Sequence, residues 1–137
     1  MRVVVDTNVL VSALISDTRA PYQLMQAWLD GRFRLITSRE QIEEITAVTR
    51  YPTVRKYIQA TEAGWLINQI RSNAEFVTRI AKVEVSADPG GNFLFGMAQA
   101  GDADYLVSGD KRHVLGITAW GKTRTVTALQ LVKLLNL

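Results

Sequence analysis

Apolar positions recur along this chain in two rhythms, short unbroken runs and helical repeats, that alternate from one end to the other. Val3-Val4-Val5 is a β-branched run ending in Asp6-Thr7-Asn8, where capping residues meet a new apolar stretch, Val9 to Ile15. The pattern predicts a buried strand, a tight turn and a helix. From Pro21 a second helix carries Leu24, Met25, Trp28 and Leu29 at helical spacing and stops near Asp30-Gly31. Phe33 to Thr37 reads as a second strand. Ser38 is a good N-cap with Gln41 three residues on, as in a capping box, and Ile42, Ile45 and Val48 form one apolar face up to the stop at Tyr51-Pro52.

Two further helical pieces are expected, Val54 to Ile58 and Trp65 to Ile70, and then a strand within Phe76 to Val85. Asp88-Pro89-Gly90-Gly91-Asn92 gives the clearest loop signal. Phe93 to Ala100 reads as a helix, Gly101 to Asp104 as a turn, and Tyr105-Leu106-Val107 as a buried strand ending in Ser108-Gly109-Asp110-Lys111, which repeats the opening pattern. A last strand around Thr123 to Val126 leads through Thr127, an N-cap, into the amphipathic helix Ala128 to Leu135. Strands that read as continuous apolar runs between helices imply a parallel sheet covered on both faces.

The 137 residues are enough for one core, so residues 1–137 are expected to form a single α/β domain. Hydrophobic residues at 47% and charged residues at 21% fit a soluble globular protein. No apolar stretch approaches the roughly 20 residues that cross a bilayer, and Asp6 interrupts any signal-peptide core, so no membrane association and a cytoplasmic location are expected. The absence of cysteine excludes disulfides and thiolate zinc sites, and the single histidine, His113, excludes a His-rich metal site. A net charge of +3 favours contact with polyanions without establishing it.

A parallel sheet places its binding site at the C-terminal ends of the strands. Asp6 and Asp110 both fall at that edge, and Glu44, early on the helix after the second strand, can reach the same place. Several carboxylates converging without histidine or cysteine make an oxygen-only site, suited to Mg²⁺ or Mn²⁺. Each residue alone has a plainer reading: Asp6 as a helix cap, Glu44 as solvated surface beside Glu43, Asp110 as a turn residue. Their combination points to metal-assisted hydrolysis of a phosphodiester.

On these stretches the chain resembles a PIN domain, and in particular the ribonuclease toxins of bacterial toxin-antitoxin pairs. The resemblance rests on Val3 to Ser12, Ser38 to Ile45 and Ala103 to Lys111. It implies a three-layer α/β/α domain with a central, mostly parallel sheet, Mg²⁺ or Mn²⁺ held by Asp6, Glu44 and Asp110, and endonucleolytic cleavage of RNA. Asn8 would orient the cluster through its amide, and Ser12 would support it. An antitoxin protein and a second copy of the chain are the implied partners.

The departure lies between Asp88 and Phe93, where similar proteins carry a further acid and this chain reads Gly90, Gly91 and Asn92. Asn92 could coordinate through its amide oxygen, and Asp88 could either turn inward or simply start the Pro89 turn. A catalytically weakened module that binds RNA or an antitoxin is therefore the alternative. A phosphoacceptor signalling domain, the rival from another class, would need an Asp after a middle strand, and none is present. Arg39, Arg50, Arg55, Lys56, Lys111 and Arg112 are candidates for phosphate contact, with Lys111 and Arg112 best placed beside Asp110. Trp28 and Trp65 fall at apolar helical positions, as core or subunit contacts, whereas Trp120 lies in a Gly-flanked loop.

Overall fold

The computed structural model describes residues 1–137. One six-stranded sheet runs through it, built from β1 (Arg2–Val5), β2 (Arg34–Thr37), β3 (Glu75–Phe76), β4 (Tyr105–Val107), β5 (Ala119–Trp120) and β6 (Thr123–Val126). Their order across the sheet is β3-β2-β1-β4-β6-β5, and every neighbouring pair is parallel except β5 with β6. The helices are α1 (Thr7–Ser12), α2 (Ala20–Leu29), α3 (Arg39–Val48), α4 (Pro52–Arg55), α5 (Ala60–Asn73), α6 (Pro89–Ala100) and α7 (Ala128–Leu134).

The pleat sorts the apolar runs onto two faces. Val3 pairs with Leu35 and Tyr105, and these, with Val5 and Val107, pack under Leu24, Met25 and Trp28 of α2, Ile42 and Ile45 of α3, Leu66 and Ile70 of α5, and Leu131 and Val132 of α7. Val4, Ile36 and Leu106 are in register on the opposite face and meet Leu94, Phe95, Met97 and Ala98 of α6 together with Val114. The three-layer α/β/α expectation therefore holds, with unequal layers: five of the helices serve one face, and α6 with its flanking loops serves the other. A smaller cluster of Val11, Ile58 and Ala63 ties α4 and α5 to α1.

Three expectations are corrected. The segment Asp88 to Asn92 is not a loop: Asp88 is the N-cap of α6, its Oδ2 accepting from Gly91 N at 3.1 Å, and Pro89 to Asn92 form the first turn. Proline at the first helical position costs no hydrogen bond, so the signal for a break and for a helix start is the same. Within Phe76 to Val85 only Phe76 is in a strand; the rest is irregular chain across the α6 face. Trp120, assigned to a loop, belongs to β5, an edge strand too short to show a period. Of the two tryptophans expected as core or subunit contacts, Trp28 is buried in the core and Trp65 is 41% exposed. No helix is long and apolar enough to cross a membrane.

Candidate active site

Because β1, β2 and β4 run in parallel, the residues that follow them emerge at one edge, and the strand order reverses between β1 and β4, the position where open α/β sheets bind ligands. Asp6 follows β1 and its N–H donates to the Val107 carbonyl at 2.8 Å, which locks the start of α1 to the end of β4. Ser108, buried at the end of β4, donates its hydroxyl to Asp6 Oδ2 at 2.8 Å and accepts from Asp110 N at 3.0 Å. One hydroxyl thus sets both acids relative to each other. Sequence reading passed over Ser108, although its place between a buried strand and Gly109-Asp110 was the available signal.

Glu44 is placed by Gln41, one turn before it on α3. Ser38 caps the helix by accepting from Gln41 N at 3.2 Å, but the Gln41 side chain does not complete a capping box. It is fully buried, donates from Nε2 to the Val5 carbonyl at 2.7 Å and to Thr7 Oγ1 at 3.4 Å, and accepts from Thr37 Oγ1 at 2.6 Å. The β1–β2 ladder is registered as far as Val4 and Ile36, and the Gln41 amide bridges the next pair, Val5 and Thr37. This pins the start of α3 to the β1 terminus and turns its next residues of that face, Glu44 and Val48, toward Asp6.

Asp6, Glu44, Asp88 and Asp110 line a single cleft of about 260 Å³, with Asn8, Val48, Gly90 and Gly91 among its other walls. Burial pushes the Asp6 carboxyl above its ordinary range; the Ser108 hydroxyl and the Asn8 N–H oppose this, and the charges of Glu44 and Asp110 add to it. Asp110 is shifted the other way. The His113 N–H, with the His113 ring at 3.2 Å and the Arg112 N–H, holds its carboxylate below the usual range. As the side chains stand, no three acidic or histidine groups gather closely enough to share one ion. The donor set nonetheless fits a hard divalent cation by its chemistry: four acidic residues line one hollow, and the ionised form of Asp6 is disfavoured there first by burial and further by the charges of Glu44 and Asp110.

The supporting residues divide. Asn8 lines the cleft, whereas Ser12 donates to the Asn8 carbonyl at 2.7 Å and lies in an adjoining depression of about 560 Å³ that Asn8 and Asp110 also border. Asp88, expected either to turn inward or to start the Pro89 turn, instead caps α6 while lining the cleft. Asn92 is committed elsewhere: its Oδ1 accepts from Val85 N at 2.9 Å and Ser86 N at 2.7 Å, and its Nδ2 donates to the Ser86 carbonyl at 2.9 Å. It stitches the preceding loop to α6 and offers no free oxygen to the cleft. Gly91 lines the cleft but has no room for a side chain, since a Cβ there would sit 2.9 Å from the His113 carbonyl and 2.8 Å from Ser86 Oγ. Lys111 and Arg112 are exposed directly after Asp110, and Trp120 lies at the opposite edge of the sheet, its Nε1 on Gln99.

A parallel sheet with acidic residues at the β1–β4 switch point defines an α/β fold with an acidic cleft. The PIN domain family model matches residues 2–112, and the chain belongs to that family, whose members are generally nucleases and typically use divalent metals. Among solved structures, the PIN domain of human SMG5 is similar in fold, with 17% sequence identity, coverage of 98% of each chain and a TM-score of 0.50. Comparison with proteins of curated function gives no match.

Proposed function

We propose that the chain is a divalent-metal-dependent endoribonuclease that hydrolyses RNA phosphodiesters in the Asp6–Glu44–Asp110 cleft, with residues 1–137 acting as one domain. The observation that carries the reading is the convergence of Asp6, Glu44, Asp88 and Asp110, from four separate segments, on one hollow. Asp6, Glu44 and Asp110 would hold Mg²⁺ or Mn²⁺, which when bound supplies Lewis acidity and positive charge to the cleft. Ser108 keeps Asp6 oriented, and Asp110 stays ionised through its own loop N–H groups. Lys111 and Arg112, exposed directly after Asp110, would contact the phosphates flanking the cut bond.

By its resemblance to the toxins we assign it to a toxin-antitoxin pair in the cytoplasm, acting as a homodimer. A groove that Ile15, Tyr22, Met25 and the exposed Trp65 line between α1, α2 and α5 supports that contact. A monomer mass by scattering at micromolar concentration would remove the dimer.

The test is incubation of RNA with the protein in Mn²⁺ or EDTA, beside Asp6→Asn. Metal-dependent cutting that Asp6→Asn abolishes is expected; equal cutting by both proteins overturns the assignment. A second reading, a module that binds RNA or an antitoxin without turnover, is favoured by Gly91, where packing excludes any acid. Calorimetric titration with Mn²⁺ separates the two, because the module should take up no metal.

A further inference from the structure

Between Ile45 and Thr61 the chain holds no acidic residue and three cations, Arg50, Arg55 and Lys56. The segment runs from the last turn of α3, whose Val48 lines the acidic cleft, through α4 to the start of α5. Its inner side is anchored by Val54 and Ile58 on Val11 and Ala63, so it is a packed element that follows directly on the cleft-lining Val48. Its outer side carries Tyr51 at 54% and Tyr57 at 66% exposure, the latter the most exposed large hydrophobic residue in the protein.

No side chain of Arg50, Arg55 or Lys56 forms an ion pair, and none of them or of the two tyrosines makes a side-chain hydrogen bond. Of the sixteen Lys and Arg residues, Arg2, Arg34, Arg39 and Lys122 are paired with carboxylates, and the rest, these three among them, are not. Two solvent-facing aromatic rings interleaved with three cations that have no internal partner match what a flexible polyanion with stackable bases needs.

We propose that Arg50, Tyr51, Arg55, Lys56 and Tyr57 form a platform for single-stranded RNA directly after the cleft-lining Val48, with bases stacked on the tyrosines and phosphates held by the cations. The choice of RNA rests on the nuclease reading; the platform itself does not need metal or turnover. A duplex, whose bases are already stacked, cannot use the rings.

The test is fluorescence anisotropy of a short labelled oligouridylate with the full chain in EDTA, so that nothing is cut and the outcome is independent of the cleavage assay. Tyr51→Ala and Tyr57→Ala should each weaken binding about fivefold or more without changing its salt dependence. Arg55→Gln with Lys56→Gln should reduce the slope of log affinity against log salt by about 1.4, two phosphate contacts' worth on a single strand. All four side chains are exposed, and unchanged melting temperatures will show that the fold is intact. Failure of the wild-type chain to bind, wild-type affinity in the tyrosine variants, an unchanged salt slope in the charge variant, or equal binding of duplex RNA each overturns the platform.

Discussion

Gln41→Leu replaces a buried amide by an apolar side chain of similar size at the point where β1, β2 and α3 meet. It removes the donor to the Val5 carbonyl and the acceptor of the Thr37 hydroxyl, two short bonds of 2.7 and 2.6 Å in a fully buried setting, and one longer contact to Thr7. Each polar group left without a partner costs about 1–3 kcal/mol, and the better burial of leucine offsets about 1 kcal/mol. The expected loss is therefore about 1–5 kcal/mol, measurable by urea unfolding followed through Trp28, which is buried in the same core. Gln41→Glu gives a pH signature. Its protonated carboxyl can still donate to Val5 and accept from Thr37, whereas its ionised form cannot donate. The introduced group thus has a raised folded pKa, and its stability contribution is present below the unfolded value near ~4.3 and falls as pH rises through that range. A loss under about 1 kcal/mol for Gln41→Leu, or a pH-independent Gln41→Glu, would refute the claim that this amide holds the strand ends together.

Asp6→Asn should stabilise the metal-free protein at neutral pH. The folded pKa of Asp6 is raised mainly by burial, so its ionisation costs stability that is absent below the unfolded value and grows as pH rises. Melts in EDTA should show the variant gaining on wild type at pH 7.5 and not at pH 4, and an equal difference at both would contradict the burial argument. Glu75 has the opposite sign: its hydrogen bonds and ion pair with Arg2, helped by Arg34, depress its pKa. Glu75→Gln should therefore cost about 0.5–1 kcal/mol at pH 7, and the difference should vanish as pH falls through the carboxylate range. Two glycines on helices should part company when replaced by alanine. At Gly96 a Cβ would lie 2.1 Å from the Ala81 carbonyl, predicting a loss of about 2–3 kcal/mol, whereas at Gly64 nothing stands within 4 Å and a gain of about 0.5–1 kcal/mol is expected. Chemical denaturation of both variants checks the pair, and similar values would sink it.

Local chemistry was enough to read most of the architecture. The runs Val3-Val4-Val5 and Tyr105-Leu106-Val107 read as strands buried on both faces because they are short, β-branched or aromatic and bounded by turn residues, and Ser38 and Thr127 mark helix starts because their hydroxyls accept the third N–H of the turn. Asp6 and Asp110 could be placed at one edge from sequence because parallel strands share an edge by construction. What tertiary structure alone decided concerns short elements and partner choice. A two-residue edge strand such as β5 has no period to detect, and Asp-Pro-Gly-Gly signals a break or a helix start with equal force until α6 packs on the sheet.

Asn92, Gln41 and Ser108 show the same limit at the site. Each carries donors or acceptors whose partners lie in another segment, and composition cannot say whether an amide oxygen will face a cleft or two backbone N–H groups. Gly91 is the sharpest case, since a missing acid reads as a lost ligand in the sequence. Three-dimensional packing supplies the reason for glycine there: the His113 carbonyl and Ser86 occupy the space a side chain would need.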